Sequence, residues 1–164
     1  MFDMLFCTCN CVCPCTVTTV ATVVLETFEP DALVVQLGAD GLSGDPVKAF
    51  NLTASSYLHT LQSLLDYNLP TVVLGGGGYS KTLTAKCWTQ ATATSLSVKL
   101  CNDIPEHCLF PLYGPDYQLD MRSGKLKNAN DDVSLKDLID EITANISNHL
   151  LERPSRDSQE QKVC

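Results

Sequence analysis

The chain has 164 residues, 45% of them hydrophobic, which suits one domain with a buried core or a piece of a larger one. Eleven basic residues against nineteen acidic ones leave a net charge of −8. That balance argues against non-specific nucleic-acid binding, which needs Lys and Arg to displace counterions, and suits a soluble acidic surface or a basic partner such as a Lys-rich tail.

Residues 1–23 are rich in Cys, Thr and Val and show no helical period. Five of the nine cysteines fall at Cys7, Cys9, Cys11, Cys13 and Cys15, and the other four are scattered. Nothing in residues 30–150 pairs by spacing, so the main body reads as reduced and intracellular rather than as a disulfide scaffold. In an extended chain the Cys-x-Cys run puts its thiols on one face. A thiolate metal cluster, similar to metallothionein, is one reading. An unrelated start to the chain is the plainer one, and is preferred. Residues 4–25 carry no charge and are long enough for a membrane span or a signal segment. Asn10, Pro14, the many threonines and the lack of a preceding Lys or Arg weigh against that, so no membrane association is expected.

From about Val24 the texture changes. Glu29-Pro30-Asp31 signals a turn before the apolar run Ala32 to Leu37, which reads as a strand buried on both faces. A loop follows through Gly38, Gly41, Gly44 and Pro46. Thr53 or Ser55 then caps a helix whose Leu58, Leu61, Leu64 and Leu65 form one apolar stripe, stopped by Asn68 and Pro70. Thr71 to Leu74 reads as a second buried strand, closed by Gly75 to Gly78. A second helix starts near Ser80 or Lys81 and carries Trp88 inward. Residues 100–130 are irregular, a third amphipathic helix fits roughly 134–151, and residues 153–164 read as a disordered tail. Strand, helix and strand in this order make a βαβ unit with a parallel sheet, and ligands bind such sheets beyond the carboxyl ends of the strands. Asp40 and Tyr79 both lie there.

Two stretches carry chemistry. In Gln36-Leu37-Gly38-Ala39-Asp40, an acidic side chain at a strand tip is a candidate metal ligand or acid/base group. On residue type alone, Asp40 as a simple turn cap is the stronger reading. Four glycines before Tyr79 let the backbone approach a ligand closely, at a cost in chain entropy that favours a functional loop over a slack turn. The run through Lys81 and Thr82 nearly fits a phosphate-binding loop but has Ser80 where the second required Gly belongs. A phosphate-binding βα unit with a degenerate glycine loop stays open as an alternative. Asn51-Leu52-Thr53 and Asn145-Ile146-Ser147 match the glycosylation pattern, which carries no meaning in an intracellular protein.

Taken in order, Gly38-Ala39-Asp40-Gly41-Leu42-Ser43-Gly44-Asp45-Pro46, Phe50-Asn51-Leu52-Thr53, Leu74 to Tyr79, Ala85-Lys86-Cys87-Trp88-Thr89, Ile104-Pro105-Glu106-His107 and Tyr113-Gly114-Pro115-Asp116-Tyr117 are far more specific than any one alone. Together they resemble the C-terminal region of class I zinc-dependent histone deacetylases, from about Val24 to Tyr117. The resemblance implies an α/β fold, the C-terminal portion of the three-layer arginase/deacetylase fold with a parallel sheet. The implied organisation is a Cys/Thr-rich non-homologous start over 1–23, deacetylase domain over 24–152 and a tail over 153–164. The implied activity is hydrolysis of N-acetyl-lysine amides in histone tails or other proteins, in the nucleus and cytoplasm, with no direct DNA binding.

Residue by residue, the resemblance makes Asp40 a Zn²⁺ ligand and Tyr79 the hydrogen-bond donor to the acetyl carbonyl. Gly76 and Gly77 would line the acetyl-lysine tunnel, with Pro46 and Val47 at its wall. The family's other two zinc ligands and its paired His general base lie N-terminal to the matching region, and nothing here replaces them. His59, His107 and His149 are the three histidines, and none has metal-ligand spacing. The expectation is therefore a deacetylase segment that is inactive alone, with a non-catalytic binding or dominant-interfering piece as the alternative.

Overall fold

The computed structural model describes residues 12–48, 50–121, 124 and 130–151. Its order is α1 (Val12–Phe28), β1 (Leu33–Gln36), α2 (Ala54–Leu65), β2 (Thr71–Leu74), α3 (Lys81–Ser95), a 3₁₀ turn (Phe110–Tyr113) and α4 (Asp132–Leu151). β1 and β2 pair in parallel, Leu33 against Thr71 through Gln36 against Leu74. The α/β class, the parallel sheet and the βαβ unit are as the sequence predicts.

Thr53 is the N-cap of α2, its hydroxyl accepting from the Ser56 N–H at 3.4 Å. The helix ends at Asp66, and Asn68 takes the left-handed conformation (φ 55°) that Asn tolerates better than most residues. Leu61 of the predicted stripe is fully buried, packed with Leu37 and Ala91, while Val35, Tyr57, Leu58 and Leu65 close around them. α2 and α3 pack on each other, and this cluster ties them to the sheet through Val35 and Leu37. Trp88 turns inward as predicted, its indole N–H donating to the Leu37 carbonyl at 2.8 Å.

Two expectations need correction. The strands are not buried on both faces. Val34 is 71% exposed and its register partner Val72 is 54% exposed, with Leu74 exposed on the same side. Val35, one residue on, faces the helices because side chains alternate along a strand. The described helices cover one face only. A fully buried Val is worth roughly 1.5–3 kcal/mol, and on the open face that contribution is forgone.

The start of the chain is also more regular than its sequence suggests. α1 runs through Val12–Phe28, across the segment read as lacking a helical period. Its Thr and Val residues are poor helix formers, but the helix packs on both α2 and α4, and tertiary contact overrides propensity. Cys13 and Cys15 lie on this helix, so the extended geometry proposed for the Cys-x-Cys run fails for those two. Cys7, Cys9 and Cys11 lie outside the described residues, as does the tail at 153–164. Among the described residues no helix is long and apolar enough to cross a membrane.

Candidate active site

The site is built where both strands end. Past β1 the chain turns, and Leu42 forms a parallel bridge with Leu52, just ahead of the α2 cap. Ser43 N–H donates to the Leu52 carbonyl at 2.8 Å and Leu52 N–H to the Gly41 carbonyl at 3.0 Å. Ala39 and Leu42 pack on Cys87 of α3, with Tyr57, Leu83 and Met121 around them. The loop that carries Asp40 therefore has its own small core. Burial pushes the Cys87 thiol up to about 11, so it is neutral at ordinary pH and acts as packing.

The two predicted motifs meet. Ala39 N–H donates to the Gly77 carbonyl at 2.7 Å. The Asp40 carboxylate lies against Gly77 so closely that any side chain at 77 would run into it. Gly76 backs onto Gly38, where an added Cβ would stand 2.9 Å from the Gly38 Cα. Gly78 has φ +144°, a conformation that L side chains rarely adopt, and it brings the chain round to Tyr79. Tyr79 is 63% exposed at the head of α3. Asp40, Gly76, Gly77 and Tyr79 thus share one end of the sheet.

Asp45 brings Pro46 and Val47 to the same place. It is 1% exposed, one of the most buried side chains of the chain, and was not singled out from sequence. Its Oδ1 accepts from the Val47 N–H at 2.9 Å. Its Oδ2 accepts from the Tyr79 N–H at 2.8 Å and the Ser80 N–H at 3.1 Å. Burial works against the ionised carboxylate, but the three N–H donors outweigh it and hold its pKa below the ordinary range. Within the sequence, Asp45-Pro46 signals a turn and the bond to Val47 is local. The bonds that matter to Tyr79 cross 34 and 35 residues, and no local signal announces them.

The histidines stand apart from this site. His59 is exposed on α2, and His149 is exposed on α4. His107 uses Nδ1 to accept from the Leu109 N–H at 3.1 Å and sets its ring edge-on to Tyr113. Among the described residues no three His, Cys, Asp or Glu side chains converge as a metal site. A catalytic zinc wants three protein ligands, so Asp40 alone does not make one, and no step is routed through zinc here.

Comparison with known proteins adds a family. Residues 15–95 match the family described as histone deacetylase domain. The match begins inside the segment whose sequence looks unlike that family. The chain is 41% identical over 133 residues to histone deacetylase 8 of Danio rerio, covering 81% of this chain and 35% of that protein. It is 41% identical over 123 residues to histone deacetylase 8 of Xenopus laevis, 75% of this chain and 38% of that one. It is 35% identical over 127 residues to histone deacetylase 1 of Homo sapiens, 77% of this chain and 26% of that one. The chain spans about a third of the length of these relatives.

Proposed function

The chain belongs to the histone deacetylase family and holds a portion of its α/β fold, and from that premise we propose that it carries one wall of a zinc-dependent lysine deacetylase site. Asp40 is the zinc ligand this segment contributes, and Tyr79 is the phenol that donates to the acetyl carbonyl as negative charge builds on it. A donor held where charge develops stabilises the transition state more than the ground state. Gly76 and Gly77 line the tunnel for the acetyl-lysine side chain, and Pro46 and Val47 form its rim. The substrates are acetylated lysines of histone tails or other proteins, met in the nucleus and cytoplasm, without direct DNA contact. The general base and the remaining zinc ligands come from outside these 164 residues, which are inactive alone. The boundaries we propose are a separate Cys/Thr-rich start over 1–23, deacetylase domain over 24–152 and a tail over 153–164.

The observation that carries this reading is the meeting of the two motifs, with the Asp40 carboxylate against Gly77 and Tyr79 two residues on. The phosphate-loop alternative is the weaker one. A phosphate would need free N–H groups at the head of α3, and those of Tyr79 and Ser80 are already taken by the Asp45 carboxylate. The non-catalytic alternative differs only in turnover.

The test joins this chain to the N-terminal part of the Danio rerio relative and measures hydroxamate-sensitive turnover of an acetyl-lysine peptide, with zinc counted per chain. Turnover is expected, and Asp40→Asn should lower the bound zinc. Full zinc occupancy in that variant would remove Asp40 from the metal site.

A further inference from the structure

Asp45 has no part in the chemistry proposed above, yet it is among the most buried side chains of the chain. A buried carboxylate is expensive unless it is hydrogen-bonded, and this one spends its acceptors on three backbone N–H groups from two separate loops. Two of those groups belong to Tyr79 and to Ser80, the N-cap of α3. Ser80 makes no side-chain capping bond of its own, so Asp45 supplies the anion at that helix end. The third belongs to Val47.

Tyr79 has little else to hold it. Its side chain is 63% exposed, and among the described residues no hydrogen bond holds its hydroxyl. Gly78 before it has a permissive backbone at φ +144°. The direction of the phenol is therefore set mainly by the peptide plane it grows from, and Asp45 fixes that plane. Because the same carboxylate holds Val47, it also fixes the spacing between the phenol and the 46–47 segment.

We propose that Asp45 is the positioning residue of Tyr79, locking the phenol and the 46–47 rim into one rigid frame through its bonds to the N–H groups of residues 47, 79 and 80. This rests on the deacetylase reading of the site. A misplacement of about 1 Å can cost roughly 10²-fold in rate, so a loosened peptide at Tyr79 should be felt in turnover before binding.

Asp45→Asn is the main variant. It keeps the shape, but its amide offers one oxygen for three donors and turns an NH₂ toward the others. Asp45→Glu is the second; it keeps the charge and displaces it by one methylene, and it decides the matter if the Asn variant does not fold. Each is made in the joined enzyme described above, with Tyr79 and with Tyr79→Phe. The expected result is a kcat fall of roughly tenfold or more with KM little changed when Tyr79 is present, and a loss below about threefold when Phe replaces it. Amide exchange at Tyr79 and Ser80 should rise by about tenfold while Leu61 stays protected. Equal kcat losses in both backgrounds, or unchanged exchange at residues 79 and 80, would overturn the proposal. If the unsubstituted joined enzyme turns over no acetyl-lysine peptide, the deacetylase reading fails. The exchange measurement then still decides whether Asp45 holds the Tyr79 peptide.

Discussion

The loops beyond the carboxyl ends of the strands and the sheet that bears them are built to different standards. The loops are closed: Leu42 and Cys87 are buried beneath them, and Asp45 is satisfied by three N–H donors. The sheet is half covered, with Val35 and Leu37 against the helices and Val34, Val72 and Leu74 bare on the other side. The difference teaches that site geometry in this segment comes from short-range closure between two loops, whereas sheet stability is drawn from layers on both faces. A segment can hold the first without the second.

The largest effect expected of this contrast is on catalysis. The 164 residues alone should show no hydroxamate-sensitive deacetylation, well-formed loops notwithstanding, because one metal ligand and one phenol do not make a site. In the joined enzyme, Tyr79→Phe should keep zinc and lower kcat by about 10²-fold, as loss of one oxyanion donor does. Clear turnover by the isolated chain with added zinc, or a Phe variant as fast as the parent, would break the assignment.

Next comes the bare face of the sheet. Exposed apolar strands invite association. Under reducing conditions the isolated chain should elute well above its 17.8 kDa mass on size exclusion. Val34→Lys with Val72→Lys, which places two charges on the open face, should shift it toward the monomer. A sharp monomer peak from the unsubstituted chain, with a cooperative thermal transition, would show that the half-covered sheet closes its own core.

Acid should act on the closed loops specifically. Asp45 has a lowered pKa in the folded state, so its contribution to stability is present above the unfolded Asp value of about 3.9 and is lost as pH falls through the folded value. In the joined enzyme, Tm should drop below about pH 4 more steeply for the parent than for Asp45→Asn, which has no proton to take up there. Parallel curves would mean that the carboxylate is not tied as described.

The smallest effect belongs to the cap that links the two regions. Thr53→Ala removes the acceptor for the Ser56 N–H at the head of α2 and should cost about 1 kcal/mol in urea unfolding of the joined enzyme, with kcat unchanged. A loss of turnover beyond that stability change would show that α2 transmits strain to the Leu42–Leu52 bridge and so to the site.

Much of this molecule is written locally. The α2 stripe, its Thr53 cap, the strand at Thr71–Leu74 and the Trp88 direction follow from periodicity and turn chemistry, which span a few residues and so survive in the sequence. The ordered motifs around Asp40 and Tyr79 were equally legible, because they are contiguous strings of unusual composition. Tertiary structure alone decided three things. It made a helix of Val12–Phe28, whose β-branched residues favour no helix until α2 and α4 pack against it. It left Val34 and Val72 bare, because an apolar strand looks the same in sequence whether one face or both are covered. And it gave Asp45 its partners at Tyr79 and Ser80, since a hydrogen bond across 34 residues leaves no periodicity, only a carboxylate that has to be satisfied once it is buried.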